Sequence, residues 1–336
     1  MMIKEFLLWS QKLRNGFQLA QDFYTSHSGR ILKSPKKIAF VGMGGSGIAG
    51  RIIKTFLDSK EGITCFVVDS TKLPAYIDSS TLVFVVSYSG NTWESLDVLN
   101  QLAEKFVPTV VLAHGGKAIE IAEAKNLPFV IMPSSVTPRS ALGDTLGFFL
   151  GLFDKMAIMD GKHKLDAFVK HAELYIPKFA EPAYFKDFLN IVEGFDFFHV
   201  WGVSGDTDAF AYRAQTQFNE NSKVHSVYSA FPELNHNLIN GFAACKERPC
   251  VLFFHSEFLP LNLSMAVEAT CEILREYDVV LYKPPVLGNT FESQLFNVIL
   301  WSDFASYYLG KARGVSVEDV KLIESLKSKQ KQKGLK

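Results

Sequence analysis

The fold class is decided by one stretch, KIAFVGMGGSG, which comprises residues 37–47. Its first part, Lys37–Val41, has the length and the apolar content of a buried strand. Four glycines follow within residues 42–47, and apolar residues at helical spacing then continue from Ile48 to Leu57. A strand, a glycine-rich turn and a helix in this order are typical of α/β proteins with a parallel sheet.

The same alternation continues towards the C-terminus. The predicted strands are Lys37–Val41, Thr64–Val68, Leu82–Val86, Thr109–Leu112 and Pro128–Met132, and the predicted helices are Ile48–Leu57, Thr92–Phe106 and Lys117–Lys125. Continuous apolar strands that alternate with helices predict a parallel sheet covered by helices on both faces, which is the doubly wound arrangement.

The pattern restarts in the second half of the chain. The predicted elements there are the strands Phe197–Val203, Val251–Phe254 and Val279–Tyr282 and the helices Asp206–Phe218 and Asn262–Glu276. Between the halves, helical patterns run from Ala141 to about Phe188, and Pro177 and Pro182 are predicted to break them.

We therefore predict an α/β protein with two similar subdomains, each a parallel sheet flanked by helices. The predicted boundaries are an N-terminal helix at 1–30, a first α/β domain at 31–155, a helical linker at 156–195, a second α/β domain at 196–312, and a C-terminal helix with a solvated basic tail at 313–336.

The composition limits the classes of function. The 336 residues carry 35 Lys and Arg against 35 Asp and Glu, and this balance argues against a nucleic-acid partner. No run approaches the roughly 18 apolar residues of a membrane helix, and the N-terminus lacks a signal peptide, so we predict a cytoplasmic protein without membrane contact. The four cysteines form no CxxC pair and are predicted to be buried, reduced thiols.

The glycine-rich turn also satisfies a dinucleotide-binding pattern. Gly42, Gly44 and Gly47 match G-x-G-x-x-G, and Asp69 ends the next predicted strand 22 residues after Gly47. The turn is no Walker A loop, because Gly-Lys-Ser/Thr does not close it. An NAD-linked dehydrogenase therefore has to be considered.

A second polar turn favours a phosphate monoester instead. The segment SYSGNT, residues 87–92, follows a predicted strand and opens a predicted helix. The hydroxyls of Ser87, Ser89 and Thr92 can converge there with the free N–H groups of the helix start. A nucleotide pyrophosphate needs close glycine contact at one turn and has no use for a second, hydroxyl-rich loop.

Five motifs in order carry a resemblance to one family. They are residues 42–47, 87–92, Thr137–Gly143, Asn219–Lys223 and Glu233–Asn237. They resemble the bifunctional phosphoglucose/phosphomannose isomerases of the sugar isomerase (SIS) domain superfamily, from about Ile38 to Lys327. The resemblance implies two SIS-like subdomains, a homodimer without metal or cofactor, and isomerisation of glucose 6-phosphate, with mannose 6-phosphate as a second candidate, to fructose 6-phosphate through a cis-enediol.

The resemblance also implies a role for each matching residue. Glu220 is the base that moves a proton between C2 and C1, which a carboxylate can do because it returns the proton it takes. His236, 16 residues later, assists ring opening from a neighbouring subunit, and Lys327 assists ring opening or polarises the substrate oxygens. The substrate-binding set is Gly44, Gly45, Ser46, Ser87, Ser89 and Thr92 at the phosphate and Arg139 at the enediolate.

The C-terminal segment departs from the family pattern. The family reads Gly-Val-Asp-Pro-Thr-Pro-Val there, whereas this chain has GVSVEDV at residues 314–320. Glu318 occupies the Thr position that the family associates with the C2 epimer, so mannose 6-phosphate is less secure as a substrate than glucose 6-phosphate. Lys321, Lys329 and Lys331 surround Lys327 and leave the choice of lysine open.

Two other classes stand beside the isomerase. One is a non-catalytic SIS-type sugar-phosphate sensor, although residues 1–37 are too short and too neutral for the helix-turn-helix module that such regulators append. The other is the NAD-linked dehydrogenase. A glutamine-dependent amidotransferase is not expected, because no N-terminal Cys nucleophile domain precedes the SIS-like halves.

Overall fold

The computed structural model describes residues 1–335; Lys336, the last residue of the predicted tail 313–336, lies outside them. The chain forms two compact units. The first unit comprises Leu8–Val169 and the stretch that begins at Val320, and the second comprises Met1–Leu7 and Lys170–Asp319. The N-terminal stretch, predicted as one helix, consists of helix α1 (Met2–Leu7) and helix α2 (Trp9–His27), of which α1 belongs to the second unit.

The first unit contains a five-stranded parallel sheet. Its strands are β1 (Lys37–Val41), β2 (Thr64–Val68), β3 (Thr81–Val86), β4 (Thr109–Ala113) and β5 (Phe129–Ile131). Their order across the sheet is β2-β1-β3-β4-β5, and every neighbouring pair is parallel. β3 lies in the middle of the sheet and is buried along its whole length, which explains its continuous run of apolar residues.

Helices cover both faces of this sheet. They are α3 (Ile48–Leu57), α4 (Trp93–Glu104), α5 (Lys117–Ala124) and α6 (Leu142–Lys155). On one face, residues of α4 and α5 share a core with alternate residues of β1 and β3, such as Ala39 and Val83. On the other face, Phe40 and Phe84 pack edge-on against Phe149 of α6, with ring centroids 4.9 and 5.2 Å apart. The predicted doubly wound arrangement is confirmed.

Helices α2 and α6 approach each other at backbone contact distance. Glycines recur every four residues along α6, at Gly143, Gly147 and Gly151, and Gly16 of α2 faces them. A Cβ atom at Gly147 would lie 2.1 Å from the carbonyl oxygen of Leu13, so only glycine fits at this contact. The segment from Ala141 therefore forms part of the core of the first unit.

The second unit contains a four-stranded parallel sheet. Its strands are β6 (Phe197–Val203), β7 (His225–Phe231), β8 (Cys250–Phe253) and β9 (Val280–Tyr282), in the order β7-β6-β8-β9. This order repeats that of the first four strands of the first sheet. The sequence pattern predicted three of these strands but not the edge strand β7.

The remaining helices are α7 (Gly161–Phe179), α8 (Lys186–Val192), α9 (Asp208–Gln217), α10 (Leu261–Glu276), α11 (Phe291–Ala312) and α12 (Lys321–Gln332). The boundary between the units falls within α7. The prediction that Pro177 interrupts the helical pattern was wrong, since α7 continues through it to Phe179. A proline this close to the C-terminal end removes only one hydrogen bond from the ladder. Pro182 does begin a new element, the 3₁₀ helix Pro182–Phe185.

Helix α11 is the central helix of the second unit. Sixteen of its 22 residues are buried, including Trp301 and Phe304. The buried ion pair between Arg213 of α9 and Asp303 of α11, with 2.6 Å between nitrogen and oxygen, joins the two helices. Within residues 1–335, the structure contains no helix with the length and apolar content needed to cross a membrane.

Candidate active site

The predicted phosphate-binding residues lie at one edge of the first sheet. In the strand order β2-β1-β3, the chain passes to one side of β1 and then returns to the other side, so the connections after β1 and β3 leave in opposite directions. The crevice at such a reversal point, at the carboxyl ends of the strands, is where open α/β sheets bind ligands. The two loops at this crevice are residues 42–47 and 87–92, the two polar turns singled out from the sequence.

The two loops are joined by a side-chain hydrogen bond. The backbone N–H of Tyr88 donates to the hydroxyl of Ser46 over 3.1 Å. The hydroxyl of Ser87 is buried and has no hydrogen-bond partner within residues 1–335. Ser89 is exposed, and Thr92 is the N-cap residue of α4, where its side chain makes no capping hydrogen bond. A buried hydroxyl without a partner costs about 1–3 kcal/mol, so Ser87 is available to a ligand oxygen.

Arg139 is placed against the first loop by a backbone contact. A Cβ atom at Gly45 would lie 3.2 Å from the Cα and the nitrogen of Arg139, so the glycine lets the two turns meet. Arg139 is buried and lies on the 3₁₀ turn Pro138–Ala141. Thr137 and Ser140 form a capping box at the start of this turn and fix its conformation.

Lys12 binds the turn that carries Arg139, a contact that was not predicted from the sequence. Its buried ammonium group donates to the carbonyl oxygen of Ser140 over 2.7 Å and to the hydroxyl of Ser135 over 3.0 Å. Asp144 lies 3.9 Å from the same nitrogen. A buried lysine needs such partners, because an unpaired charge in the interior is costly. Lys12 thereby links α2 to the turn that carries Arg139.

A third loop at this edge was also missed. It follows β4, and its backbone binds the second loop: His114 N–H donates to Tyr88 O over 2.8 Å, and Ala118 N–H donates to Gly90 O over 2.9 Å. The ring of His114 stacks on that of Tyr88 at 5.5 Å between centroids. The Tyr88 hydroxyl in turn hydrogen-bonds the backbone of Ser135. These loops therefore form one connected polar edge.

Glu220 lies in the second unit on an unusual turn. Residues Phe218–Ser222 form a π-helical turn directly after α9, and Glu220 is half-buried within it. The amide side chain of Asn219 exchanges two hydrogen bonds with the backbone of Ser226, and the hydroxyl of Ser222 donates to Ser306 O over 2.8 Å. Such π turns recur at functional sites. The residues around Glu220 are therefore held in place.

Lys223 binds the main chain of this turn. Its ammonium group donates to the main-chain carbonyl oxygens of Glu220 and Asp319, at 2.5 and 2.8 Å. The charge of Lys223 thereby stabilises the backbone of the turn. Lys223 itself has the left-handed conformation that ends the turn.

His236 lies at the opposite edge of the second sheet from Glu220. Glu220 precedes the first residue of β7, and His236 follows its last residue on the exposed 3₁₀ turn Glu233–His236. β7 has seven residues with about 3.3 Å of rise for each, so a strand roughly 20 Å long lies between the two positions in the chain. Within one chain, the structure does not bring Glu220 and His236 together.

Lys327, predicted to assist ring opening, and Glu318, at the family's Thr position, have different surroundings. Lys327 lies on α12, whose residues are almost all exposed, and has no hydrogen-bond or ion-pair partner within residues 1–335. Glu318 accepts a hydrogen bond from the backbone N–H of Met2 over 2.8 Å and lies 2.6 Å from the amino group of Met1. These contacts hold the pKa of the Glu318 carboxyl below its ordinary value. Its carboxylate is thus engaged within the second unit.

The corresponding edge of the second sheet is closed by the chain's own side chains. The order β7-β6-β8 places a reversal point between β6 and β8, as in the first sheet. Asp206 accepts a hydrogen bond from Ser256 there over 2.5 Å, and Thr207 donates to Phe254 O over 2.8 Å. Burial raises the pKa of the Asp206 carboxyl. A carboxyl group in this position does not favour a phosphate.

The carboxylate expected of a dinucleotide site is engaged in an ion pair. Asp69, the carboxylate that a dinucleotide would use for its ribose, is ion-paired with Arg51 at 2.5 Å. Residues 1–335 contain no group of three or more His, Cys, Asp or Glu side chains arranged to hold a metal ion. All four cysteines are free thiols; three are buried as predicted, and Cys245 is exposed, contrary to the prediction.

The fold and the loops at the first edge define the class of the protein. The SIS domain model matches residues 31–129, and the model of the bacterial phospho-glucose isomerase C-terminal SIS domain matches residues 189–329. A putative phosphosugar isomerase of Clostridium difficile has the same fold, with a TM-score of 0.74 over 97% of this chain and 98% of that chain at 15% sequence identity. The chain is therefore an SIS-domain protein.

Two curated relatives then fix the family. The bifunctional phosphoglucose/phosphomannose isomerase of Thermoplasma volcanium is 31% identical over 87% of this chain and 90% of its own length. The enzyme of the same name from Caldicellulosiruptor bescii is 30% identical over 87% of this chain and 89% of its own length. The chain belongs to the bifunctional phosphoglucose/phosphomannose isomerase family. The predicted family, fold class and enzyme class, an isomerase, are confirmed, and the sensor and dehydrogenase alternatives are not favoured.

Proposed function

We propose that the protein is an aldose–ketose isomerase that interconverts glucose 6-phosphate and fructose 6-phosphate through a cis-enediol. The observation that carries this proposal is the connected polar edge of the first sheet, where three loops meet at the reversal point between β1 and β3. Family membership supports the same reaction.

The phosphate is held by neutral donors. The hydroxyls of Ser46, Ser87, Ser89 and Thr92 and the free N–H groups at the start of α4 surround the dianion. The positive end of the helix dipole adds to these hydrogen bonds. Gly44 and Gly45 shape the first turn, and no excess of basic residues is needed, in accord with a net charge of zero.

Glu220 transfers the proton. Its carboxylate removes the proton from C2 of the open-chain aldose, which leaves the cis-enediol, and returns the same proton to C1 to give the ketose. Arg139 stabilises the negative charge that develops on the enediolate oxygens. His236 and Lys327 assist the preceding ring opening, in which the ring oxygen gains a proton and the hydroxyl at C1 loses one.

The active protein is a homodimer in which His236 of one chain serves the other. Within one chain the two residues flank opposite ends of β7, a strand roughly 20 Å long, and this supports the exchange. The SIS-like domains at 31–155 and 196–312 and the cytoplasmic location remain predictions of the sequence.

Glu318 affects the choice of aldose. Because its carboxylate is engaged with the backbone of Met2, we expect glucose 6-phosphate to be turned over faster than mannose 6-phosphate. Purified protein assayed with each aldose in turn, and then with the Glu318→Thr variant, measures this preference. Equal rates with both aldoses would contradict the expectation.

The Glu220→Gln variant tests the reaction. General base catalysis contributes about a hundredfold to ten-thousandfold, so kcat with fructose 6-phosphate should fall by that factor. Exchange of the C2 proton with solvent should fall in parallel. Glu193→Gln, a change at an exposed carboxylate at the end of α8, is the matched control. Undiminished turnover in Glu220→Gln would remove Glu220 from the mechanism.

A mixture of two inactive variants tests the exchange of His236. In a hybrid dimer of Glu220→Gln and His236→Ala chains, one site regains both intact residues if they come from different chains. Random assembly then restores about a quarter of the wild-type sites in a twofold dimer. If both residues act in the same chain, every site lacks one of them and co-expression restores no activity.

Ser87→Ala tests the phosphate site. A hydrogen bond to a charged group contributes about 1.5–3 kcal/mol, so KM should rise by about one to two orders of magnitude. Competition by inorganic phosphate should weaken to the same extent. Ser59→Ala removes a hydroxyl that bonds only Phe56 O and provides the control. An unchanged KM in Ser87→Ala would place the phosphate elsewhere.

A further inference from the structure

Helix α10 carries apolar residues on two faces. Val267, Cys271 and Leu274 are buried in the core beneath the second sheet. The helix and its two ends also carry five large apolar side chains that are 46–76% exposed. We call these residues the α10 stripe: Phe258 before the helix, Leu261, Met265 and Ile273 within it, and its C-cap residue Tyr277. A helix that is apolar on both faces is typical of one that is covered on both sides.

The α10 stripe is continuous and large. From Leu261 its members recur at intervals of four or eight residues, with Ala269 between Met265 and Ile273, so they form one ridge that turns around the helix axis by about 40° at each step. With roughly 200 Å² of surface on a large side chain, their exposed fractions amount to on the order of 500 Å². A standard interface buries about 800 Å² on each partner, so the stripe supplies more than half of one.

Exposed acidic side chains border the stripe. Glu268, Glu272 and Glu276 follow one another at intervals of four residues on the neighbouring row of α10. An apolar centre with a charged border is the usual composition of a protein–protein interface.

The loop that carries His236 is continuous with this surface. Thr270 of α10 donates a hydrogen bond to the side chain of Asn235 over 3.0 Å, and Leu234 shares the core that α10 covers. The exposed His236 follows Asn235 directly. The loop that carries His236 is thus attached to α10, the helix that carries the stripe.

We propose that the α10 stripe is the surface through which two copies of this chain pack, an inference that rests on the proposed exchange of His236. A second copy is the occupant because a site that needs both Glu220 and His236 is incomplete in one chain, where the two residues flank opposite ends of β7, a strand roughly 20 Å long. Packing at α10 brings the loop of His236 from each chain towards its partner.

Sedimentation of wild type and Met265→Glu tests this surface. A carboxylate in place of a central apolar side chain should weaken the dimer by at least about a hundredfold, so the variant should sediment as a monomer where wild type sediments as a dimer. Leu174→Glu changes a comparably exposed leucine of α7 and should leave the dimer intact. Thermal unfolding of each variant checks that it is folded, since Met265 is 59% exposed.

The outcomes separate this inference from the reaction. A dimeric Met265→Glu, or dissociation by Leu174→Glu as well, overturns the α10 surface. Wild type that is monomeric at a concentration on the order of 100 μM overturns it too, and the stripe then belongs to a different partner. Monomeric Met265→Glu supports it whether or not isomerase activity is present, because sedimentation measures assembly alone. If wild type is active, the isomerase activity of Met265→Glu should fall and recover as the protein concentration rises.

Discussion

Replacement of Gly147 by alanine measures how much the contact between α2 and α6 contributes to stability. The added Cβ would lie 2.1 Å from the carbonyl oxygen of Leu13, whereas ordinary contact begins at 3.4 Å. The helices must therefore separate by about 1.3 Å, the difference between these two distances. The opposing atom belongs to the backbone, so no side-chain rotation can relieve the overlap.

The magnitude follows from two opposing effects. Alanine is favoured over glycine within a helix by about 1 kcal/mol, which works in favour of the variant. Overpacking costs typically about 1–3 kcal/mol, and a gap of about 0.5–1 Å already loses a quarter to a half of each dispersion contact along the interface. Because α2 and α6 touch along much of their length, we expect the overpacking to exceed this typical range and cost about 3–4 kcal/mol. Less the roughly 1 kcal/mol gained from alanine, the net loss in the free energy of unfolding is about 2–3 kcal/mol.

Thermal unfolding followed by circular dichroism measures this loss. For a unit of this size, about 1 kcal/mol corresponds to roughly 2–4 °C, so Tm should fall by about 5–10 °C. Gly29→Ala is the matched control, because nothing lies within 4 Å of a Cβ atom at Gly29. A Tm of Gly147→Ala equal to that of wild type, or above it, would refute the close approach of the two helices.

Three further predictions concern buried ionisable groups. Lys12→Met should lower stability by about 3 kcal/mol and, well below Tm, lower kcat more than it raises KM, because the turn of Arg139 loses its support; thermal unfolding and steady-state kinetics measure both. Burial lowers the pKa of His171 from 6.5 to about 4, so the unfolded chain takes up a proton first as the pH falls; wild type should lose about 3 kcal/mol between those pH values, and His171→Gln should not, in urea titrations at each pH. Since burial raises the pKa of Asp206, Asp206→Asn should be at least as stable as wild type at pH 8, by the same titration.

The sequence pattern was most informative where a strand is a continuous apolar run. The bounds of β1, β2 and β6 were predicted to the residue, because each is an apolar run that polar or glycine-rich segments delimit. Strand β7 was missed because polar residues interrupt its apolar ones. Helix α11 was missed for the opposite reason: it is buried all round and so shows little amphipathic periodicity.

How much of the candidate site could be predicted depended on how far apart in the sequence its contacting residues lie. Ser46 and Ser87 could be predicted because glycine and hydroxyl residues cluster locally around each turn. Lys12 could not, since its partner Ser140 lies 128 positions away and a lysine in an amphipathic helix gives no sign of burial. The placement of Glu220 and His236 at opposite ends of a strand roughly 20 Å long likewise depends on β7, which the pattern did not reveal.

The π-helical turn at Phe218–Ser222 has a consequence for the gene. A π turn contains one residue more than the α-helical turn that it replaces, so the loss of a single codon there would let α9 continue as a regular helix. Each residue on one side of the deletion would then rotate by about 100° relative to the other side. Among in-frame changes in this part of the gene, a three-base deletion should therefore displace Glu220 more than most substitutions beside it.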